Sequence, residues 1–356
     1  MKFKTTLTTI ACAVLACTAF SSTANAAKIG VSMPTQSLQR WNQDGHNLKE
    51  QLEASGHEVE LLYAGDNDIP TQLNQIENMI AGDCDVLVIA PIDGGSLTAV
   101  LKGAKDKKIP VVSYDRLIMN SNAISYYATF DNYKVGQIQG NYIVDALKLN
   151  DDATPAKNIE LFTGSIDDNN VNFFFGGAID VLQPYLDSGK LVCKSGQTKK
   201  EQVATLNWST EEAQKRMENL ISSNGYGPDG TKLDVVLSSN DSVANGITNA
   251  LVNAGYDASN FPVLTGQDCD KPSVTNMKRG LQTMSVFKDT RDLAKQVVVM
   301  VNAIVDGKEV PVNDTTTYNN GTGVIPSYLC SPIVVTKDNL KEVLFDSGYY
   351  KESEIK

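Results

Sequence analysis

Hydrophobic positions along this chain follow two periods that take turns. KIGVSM (28–33), DVLVIAP (85–91), PVVSYD (110–115) and AISYYATF (123–130) are short, nearly continuous apolar runs, and HEVELLYA (57–64) alternates. Between them, segments 41–54, 72–81 and 96–107 place apolar residues at three- and four-residue intervals, as in Leu73, Ile76, Met79 and Ile80. The first kind of pattern predicts strands and the second predicts amphipathic helices. The alternation then starts again. Helices are predicted over 135–147, 172–186, 210–221, 243–254 and 290–305, and strands at NIELFTG, KLVCKSGQ, DVVLSSN, FPVLTGQD, 282–288 and PIVVT.

Continuous apolar strands separated by helices imply parallel sheets covered on both faces. The expected fold is therefore α/β, with two similar units, each a doubly wound, mostly parallel sheet. No low-complexity linker separates the units, so short crossings are expected between them. In open sheets of this kind ligands sit beyond the carboxyl ends of the strands.

The amino terminus departs from this pattern. Lys2 and Lys4 precede an apolar stretch from Leu7 to Phe20, and Ala24-Asn25-Ala26 fits a small-x-small cleavage site. Residues 1–26 read as an export signal, which places the mature protein in a bacterial periplasm. Cleavage before Cys17 with lipid attachment, or a retained anchor, are the alternatives. No later stretch reaches the roughly 18 apolar residues of a membrane span. The chain carries a formal charge of −11. Loss of the leader takes two lysines and no acids, leaving 29 basic residues against 42 acidic ones, or −13. An acidic surface of this size argues against nucleic acid or an anionic membrane as partner. Only His46 and His57 are present, too few for a multi-histidine metal site. Cys84, Cys193, Cys269 and Cys330 have no CxxC spacing, which argues against a zinc cluster. They read as separate buried thiols, with the three full pairings open to four cysteines as the alternative.

The predicted strand ends carry an unusual set of side chains: Arg40 and Trp41; Asp93; Tyr114, Asp115 and Arg116; Asp131 and Asn132; Asp167, Asp168, Asn169 and Asn170; Asn207 and Trp208; Asn240 and Asp241; Gln267 and Asp268; and Lys288. Carboxylates accept hydrogen bonds, Arg and Lys donate them, and Asn does both, which suits the hydroxyls of a sugar. The only two tryptophans, Trp41 and Trp208, fall at corresponding loop positions of the two units. Their rings could sandwich a pyranose. Each residue also has a plain structural explanation. Asp93, Asp168, Asn170 and Asp241 suit helix caps, Arg116 suits a surface ion pair, and both indoles suit a core. Catalytic readings are weaker. Asp167-Asp168 is a carboxylate pair, but adjacent residues rarely flank one glycosidic bond. No GxSxG, GxxxxGK[ST] or GxGxxG motif is present, and Asp66-Asn67-Asp68 lacks the rest of a calcium loop and reads as a turn.

At these residues the chain resembles the bacterial periplasmic monosaccharide-binding proteins of ABC importers, most closely the xylose-binding and multiple-sugar-binding branch. The strings that carry the resemblance are RW (40–41), QIENMI (75–80), VLVIAP (86–91), SYDR (113–116), YYATFDN (126–132), DDNN (167–170), SSND (238–241), TGQD (265–268), VFKDTR (286–291) and IPSYL (325–329), and it extends over 28–356. It implies two lobes joined by a three-crossing hinge. One lobe would comprise 27–132 with 288–327, the other 133–287 with 328–356. It implies a monosaccharide ligand, of the xylose, arabinose, galactose or glucose class, held by Arg40, Trp41, Asp115, Arg116, Asp168, Asn170, Trp208, Asn240, Asp268 and Lys288. It further implies a monomer that delivers its sugar to an ABC permease, or signals to a membrane receptor, without enzyme activity. Ile166 stands where relatives often have proline, and the calcium loop of the galactose/glucose-binding relatives is not evident. No metal and no cofactor are expected. Repressors share the fold but carry a DNA-binding unit where this chain has its leader.

Overall fold

The structure is a computed structural model and describes residues 26–355. All of the expected leader except Ala26 lies outside the described residues. The first sheet contains β1 (Lys28–Met33), β2 (Glu58–Tyr63), β3 (Val86–Ile89), β4 (Val111–Tyr114), β5 (Ile124–Phe130) and β11 (Ser327–Cys330). Its order is β11-β5-β4-β3-β1-β2 and every pairing is parallel. Successive residues of β3 serve opposite faces. Val86 and Val88 join a cluster with α1 (Gln39–Ala54) and α10 (Thr290–Val305), whereas Leu87 and Ile89 join one with α2 (Ile69–Ala81) and α3 (Thr98–Asp106). A strand buried on both sides leaves no position for a polar residue, hence the unbroken apolar run.

The second lobe repeats the plan. Its parallel sheet runs β7 (Leu191–Val192), β6 (Lys157–Phe162), β8 (Val235–Ser238), β9 (Val263–Leu264). An antiparallel ribbon of β10 (Met284–Phe287) and β12 (Ile333–Thr336) extends it, joined through Val286 N–H to the Gly266 carbonyl at 2.9 Å. Helices α4 (Asn132–Ala146), α5 (Asn170–Asp187), α6 (Lys200–Val203), α7 (Thr210–Asn224), α8 (Asp241–Asn253) and α9 (Lys271–Arg279) complete it. Helices α4 and α5 pack at backbone distance because Gly136 faces Phe174; a Cβ there would stand 2.1 Å from the Phe174 carbonyl oxygen.

The chain passes between the sheets after β5, after β10 and after β11. The expected boundary at 327/328 is corrected by the pairing of Ser327–Cys330 with Tyr127–Phe130. That strand completes the first sheet, so the third crossing comes after Cys330. The four cysteines of the described residues are all free thiols.

Candidate functional site

The carboxyl ends of both sheets face each other across a cleft. A cavity lies there, and all ten residues singled out above line it, with Leu38, Phe174, Ser242, Gln267 and Asp270. The elements bring them together in a regular way. Arg40 and Trp41 stand on the first turn of α1, which begins two residues before the predicted start at 41 and so takes in Arg40 as well. Asp115 follows β4 with φ of 56° and Asp268 follows β9 with φ of 95°, so each carboxylate sits on a tight left-handed turn. Asn170 and Asn240 stand at the starts of α5 and α8, and Lys288 follows β10.

Arg40 is the hub. Its Nε donates to Asp44 at 2.5 Å, its Nη2 to Asp115 at 2.6 Å and its Nη1 to Asp268 at 2.7 Å, so one guanidinium ties α1 and β4 of the first lobe to the β9 loop of the second. A guanidinium has five N–H groups, so two remain. Lys288 Nζ stands 3.2 Å from Asp268 and 3.8 Å from Asp115. Burial alone would raise the Asp115 carboxyl, but the charges of Arg40, Lys288 and Arg116 outweigh it and hold it below the usual carboxylate range. Asp44 behaves differently. Burial pushes it up to about 6 despite its contact with Arg40, and Tyr114 donates its hydroxyl to it.

Arg116 forms the second bridge. Its Nε lies 3.0 Å from Asp168 of the opposite lobe, Nη1 donates to the Ile92 carbonyl at 3.1 Å, and the guanidinium stands 5.0 Å from the Trp41 ring centre. This is an ion pair across the cleft with cation–π support, not a surface pair. Burial raises Asp168 above its ordinary value against the pull of Arg116. Asn170 crosses the cleft too: its Nδ2 donates to the Asp115 carbonyl at 2.8 Å, and its Oδ1 accepts from Tyr127 and Asn132 at 3.0 Å each.

The capping alternatives hold in part: Asp168 Oδ1 accepts from the Asn170 N–H at 2.9 Å and Asp93 Oδ1 from the Gly95 N–H at 2.7 Å. Asn240, not among those candidates, caps α8 by accepting from Val243 N–H, which leaves its Nδ2 for the cavity. Asp241 caps nothing with its side chain. It is wholly buried and accepts from Gln282, Ser285 and the Asp270 N–H, and burial with the nearby Asp270 carboxyl raises it well above its ordinary value. Trp41 and Trp208 are 3% and 4% exposed; each joins its own lobe's apolar cluster and also borders the cavity. Trp208 meets Phe174 edge-on at 6.1 Å.

Three buried polar atoms on the cavity wall make no hydrogen bond among the described residues: Gln267 Oε1, Asp270 Oδ1 and Trp208 Nε1. Two need donors and one needs an acceptor, and such groups are costly unless a partner meets them. Asp44 and Asp270 were not anticipated. An aspartate four residues after an arginine reads as a solvated helix pair, and one before Lys-Pro reads as a cap. Neither histidine is nearby in role: His57 bonds Ala27 and Asn302, while His46 is exposed beside Glu50. The chemistry on offer is multiple hydrogen bonding to a small neutral solute between apolar rings.

Residues 29–309 match the model of the periplasmic binding protein domain. The chain belongs to that family. It is 51% identical over 330 residues to the multiple sugar-binding periplasmic receptor ChvE of Rhizobium radiobacter, covering 92% of each chain. It is 38% identical to the D-xylose-binding periplasmic protein of Escherichia coli, over the full length of both. Among solved structures it matches an ABC transporter solute-binding protein of Clostridium phytofermentans carrying β-D-glucose, with TM-score 0.89 and 57% identity over 92% of this chain and 100% of that one. The architecture is the type I periplasmic binding protein fold, and the protein is a solute-binding protein, not an enzyme. Among the described residues no helix is long and apolar enough to cross a membrane.

Proposed function

We propose that this protein captures a free monosaccharide between two lobes, 27–132 with 288–330 and 133–287 with 331–355, and delivers it to an ABC-type permease. Residues 1–26 would direct its export to the periplasm. The observation that carries the reading is the cavity itself, where Arg40, Arg116 and Lys288 converge with Asp115, Asp168 and Asp268 from both lobes and with both indoles. Such a wall offers donors and acceptors all round, as a polyol requires, and each strong cross-cleft bond exists only when the lobes are closed. A ligand that binds the closed state shifts the population toward it. The glucose bound to the Clostridium protein and the names of the sugar-binding relatives support a hexose or pentose.

Calorimetry with D-glucose, D-xylose, D-galactose and L-arabinose tests this. At least one should bind at about micromolar strength or tighter and raise the melting temperature; the absence of binding by all four would overturn the reading. A sensory role at the same site is favoured by the relative described as a receptor. Deleting the gene separates the two: loss of sugar uptake marks the importer, and loss of sugar-directed signalling with uptake intact marks the sensor.

A further inference from the structure

We propose that Asp270 is a further sugar-contacting residue of the cleft, meeting a ring hydroxyl through Oδ1 and discriminating among sugars by that contact. The inference rests on the sugar-capture reading above. Asp270 lines the cavity, is only 6% exposed, and its Oδ1 makes no hydrogen bond among the described residues. It stands at the N-terminal boundary of α9, the usual reason for an aspartate there, yet its side chain caps nothing. Among the described residues no lysine or arginine forms an ion pair with it; Arg40 and Lys288 spend their contacts on Asp44, Asp115 and Asp268. Its backbone N–H donates to Asp241 Oδ2 at 2.9 Å, which fixes the turn and aims the side chain. A buried carboxyl that neither caps a helix nor pairs with a cation is explained by a ligand.

The neighbouring charges decide what the carboxyl offers. Asp268, Asp241 and Cys269 neighbour it within its own lobe, the charges of Arg40 and Lys288 reach it and oppose any rise, and Tyr350 of the tail lies close enough to feel its charge. Burial and then Asp268 push it up to about 7. Below about pH 7 the closed cleft therefore holds it as an acid that gives one hydrogen bond and accepts another, whereas the Asp115 carboxylate only accepts. Opening the cleft wets the group and returns it toward the ordinary carboxylate value. Closure then takes up a proton, so affinity is highest at low pH, falls as pH rises toward 7 and levels off above it.

Calorimetric titration of the wild type, Asp270→Asn and Asp270→Ala with D-glucose and D-xylose tests the assignment. Wild-type affinity should fall roughly tenfold between about pH 5.5 and 7.5, with proton uptake seen as a dependence on buffer ionisation heat. The isosteric Asp270→Asn should bind with a much flatter profile, keeping only the slope that Asp44 and Asp168 contribute. Asp270→Ala should bind roughly tenfold more weakly at the acid end and should change the glucose-to-xylose ratio. A profile for Asp270→Asn that matches the wild type, or unchanged affinities for Asp270→Ala, would overturn the proposal while leaving sugar capture intact. Failure of the wild type to bind any sugar would overturn both.

Discussion

At the scale of single residues, Trp208 is held by its surroundings more than by its own preferences. It and Asn207 adopt φ of 56° and 54°, a left-handed pair that costs a bulky side chain about 1–2 kcal/mol. The turn survives because Gly164 leaves room for the ring. A Cβ on Gly164 would lie 2.2 Å from the indole Cε2 and Cζ2. Gly164→Ala must therefore displace the ring, at about 1–3 kcal/mol of overpacking. Sugar affinity should drop at least tenfold and the tryptophan emission should shift red; an unchanged titration would show that the indole does not contact the ligand. Arg116 makes a different case. Arg116→Ala removes the Asp168 bridge and the stack on Trp41, and a charged hydrogen bond contributes roughly 1.5–3 kcal/mol. Calorimetry should register a ten- to hundredfold weaker complex. Arg40, Trp41, Arg116, Trp208 and Lys288 were legible because arginine, lysine and tryptophan near strand ends have few local uses, and Asp115, Asp168, Asn170, Asn240 and Asp268 were legible only by falling at the same run of strand ends. Asp44 and Asp270 were not, because aspartate on helices and at helix starts has a common local use that sequence spacing cannot separate from burial.

At the scale of elements, the carboxy-terminal tail fastens the hinge side of the cleft. The Tyr350 hydroxyl accepts from Gln39 at 2.6 Å and Gln43 at 3.1 Å on α1, and donates to the Cys269 carbonyl at 3.0 Å in the opposite lobe. Tyr349 lies beside it, its hydroxyl 3.1 Å from that of Thr290. Tyr350→Phe keeps the buried ring and deletes only the bridge, at roughly 1 kcal/mol per bond. Because α1 and the β9 loop separate when the lobes open, the closed state should lose most. Affinity should fall about three- to tenfold for every sugar alike; loss confined to one sugar would contradict a hinge role. The helices with strong periodicity were readable, and α10 falls on the predicted 290–305. Helix α9 was not, since KPSVTNMKR has only Val274 and Met277 as buried apolar positions. Strand β11 escaped because SYLC is half-buried at the edge of the sheet, with only a single bridge from Ser327 to Asp314 on its outer side, so its pattern is neither a clean alternation nor a continuous apolar run. KLVCKSGQ shrank to a two-residue strand for a related reason: its Cys193, Ser195 and Gln197 are drawn into a polar cluster around Glu160 instead of a ladder.

At the scale of the whole molecule, the closed cleft gathers acids in excess of cations, and this sets how stability responds to pH. Two groups of carboxyls act in opposite directions. Asp115 sits below its ordinary value because cations surround it, so its contribution is present above about pH 4 and is lost as pH falls through the folded value. Asp44, at about 6, and Asp270, at about 7, are raised chiefly by burial, as Asp241 is. For these the folded state binds the proton more tightly than the unfolded chain. Their contribution is complete below the unfolded value near 4, declines as pH rises, and is gone once pH passes the folded values. The melting temperature should therefore peak on the acid side, near about pH 4–5, and fall by a few degrees toward about pH 7.5, where a chain of this size loses roughly 2–4 °C per kcal/mol. A fixed concentration of sugar should raise the whole curve, and more at the acid end than near neutral pH, because affinity falls as Asp270 ionises. Differential scanning calorimetry across that range decides the matter: a maximum at or above neutral pH would mean that the buried aspartates ionise freely, with water admitted to a cleft that the contacts between Arg40, Arg116 and their opposite-lobe partners should keep dry.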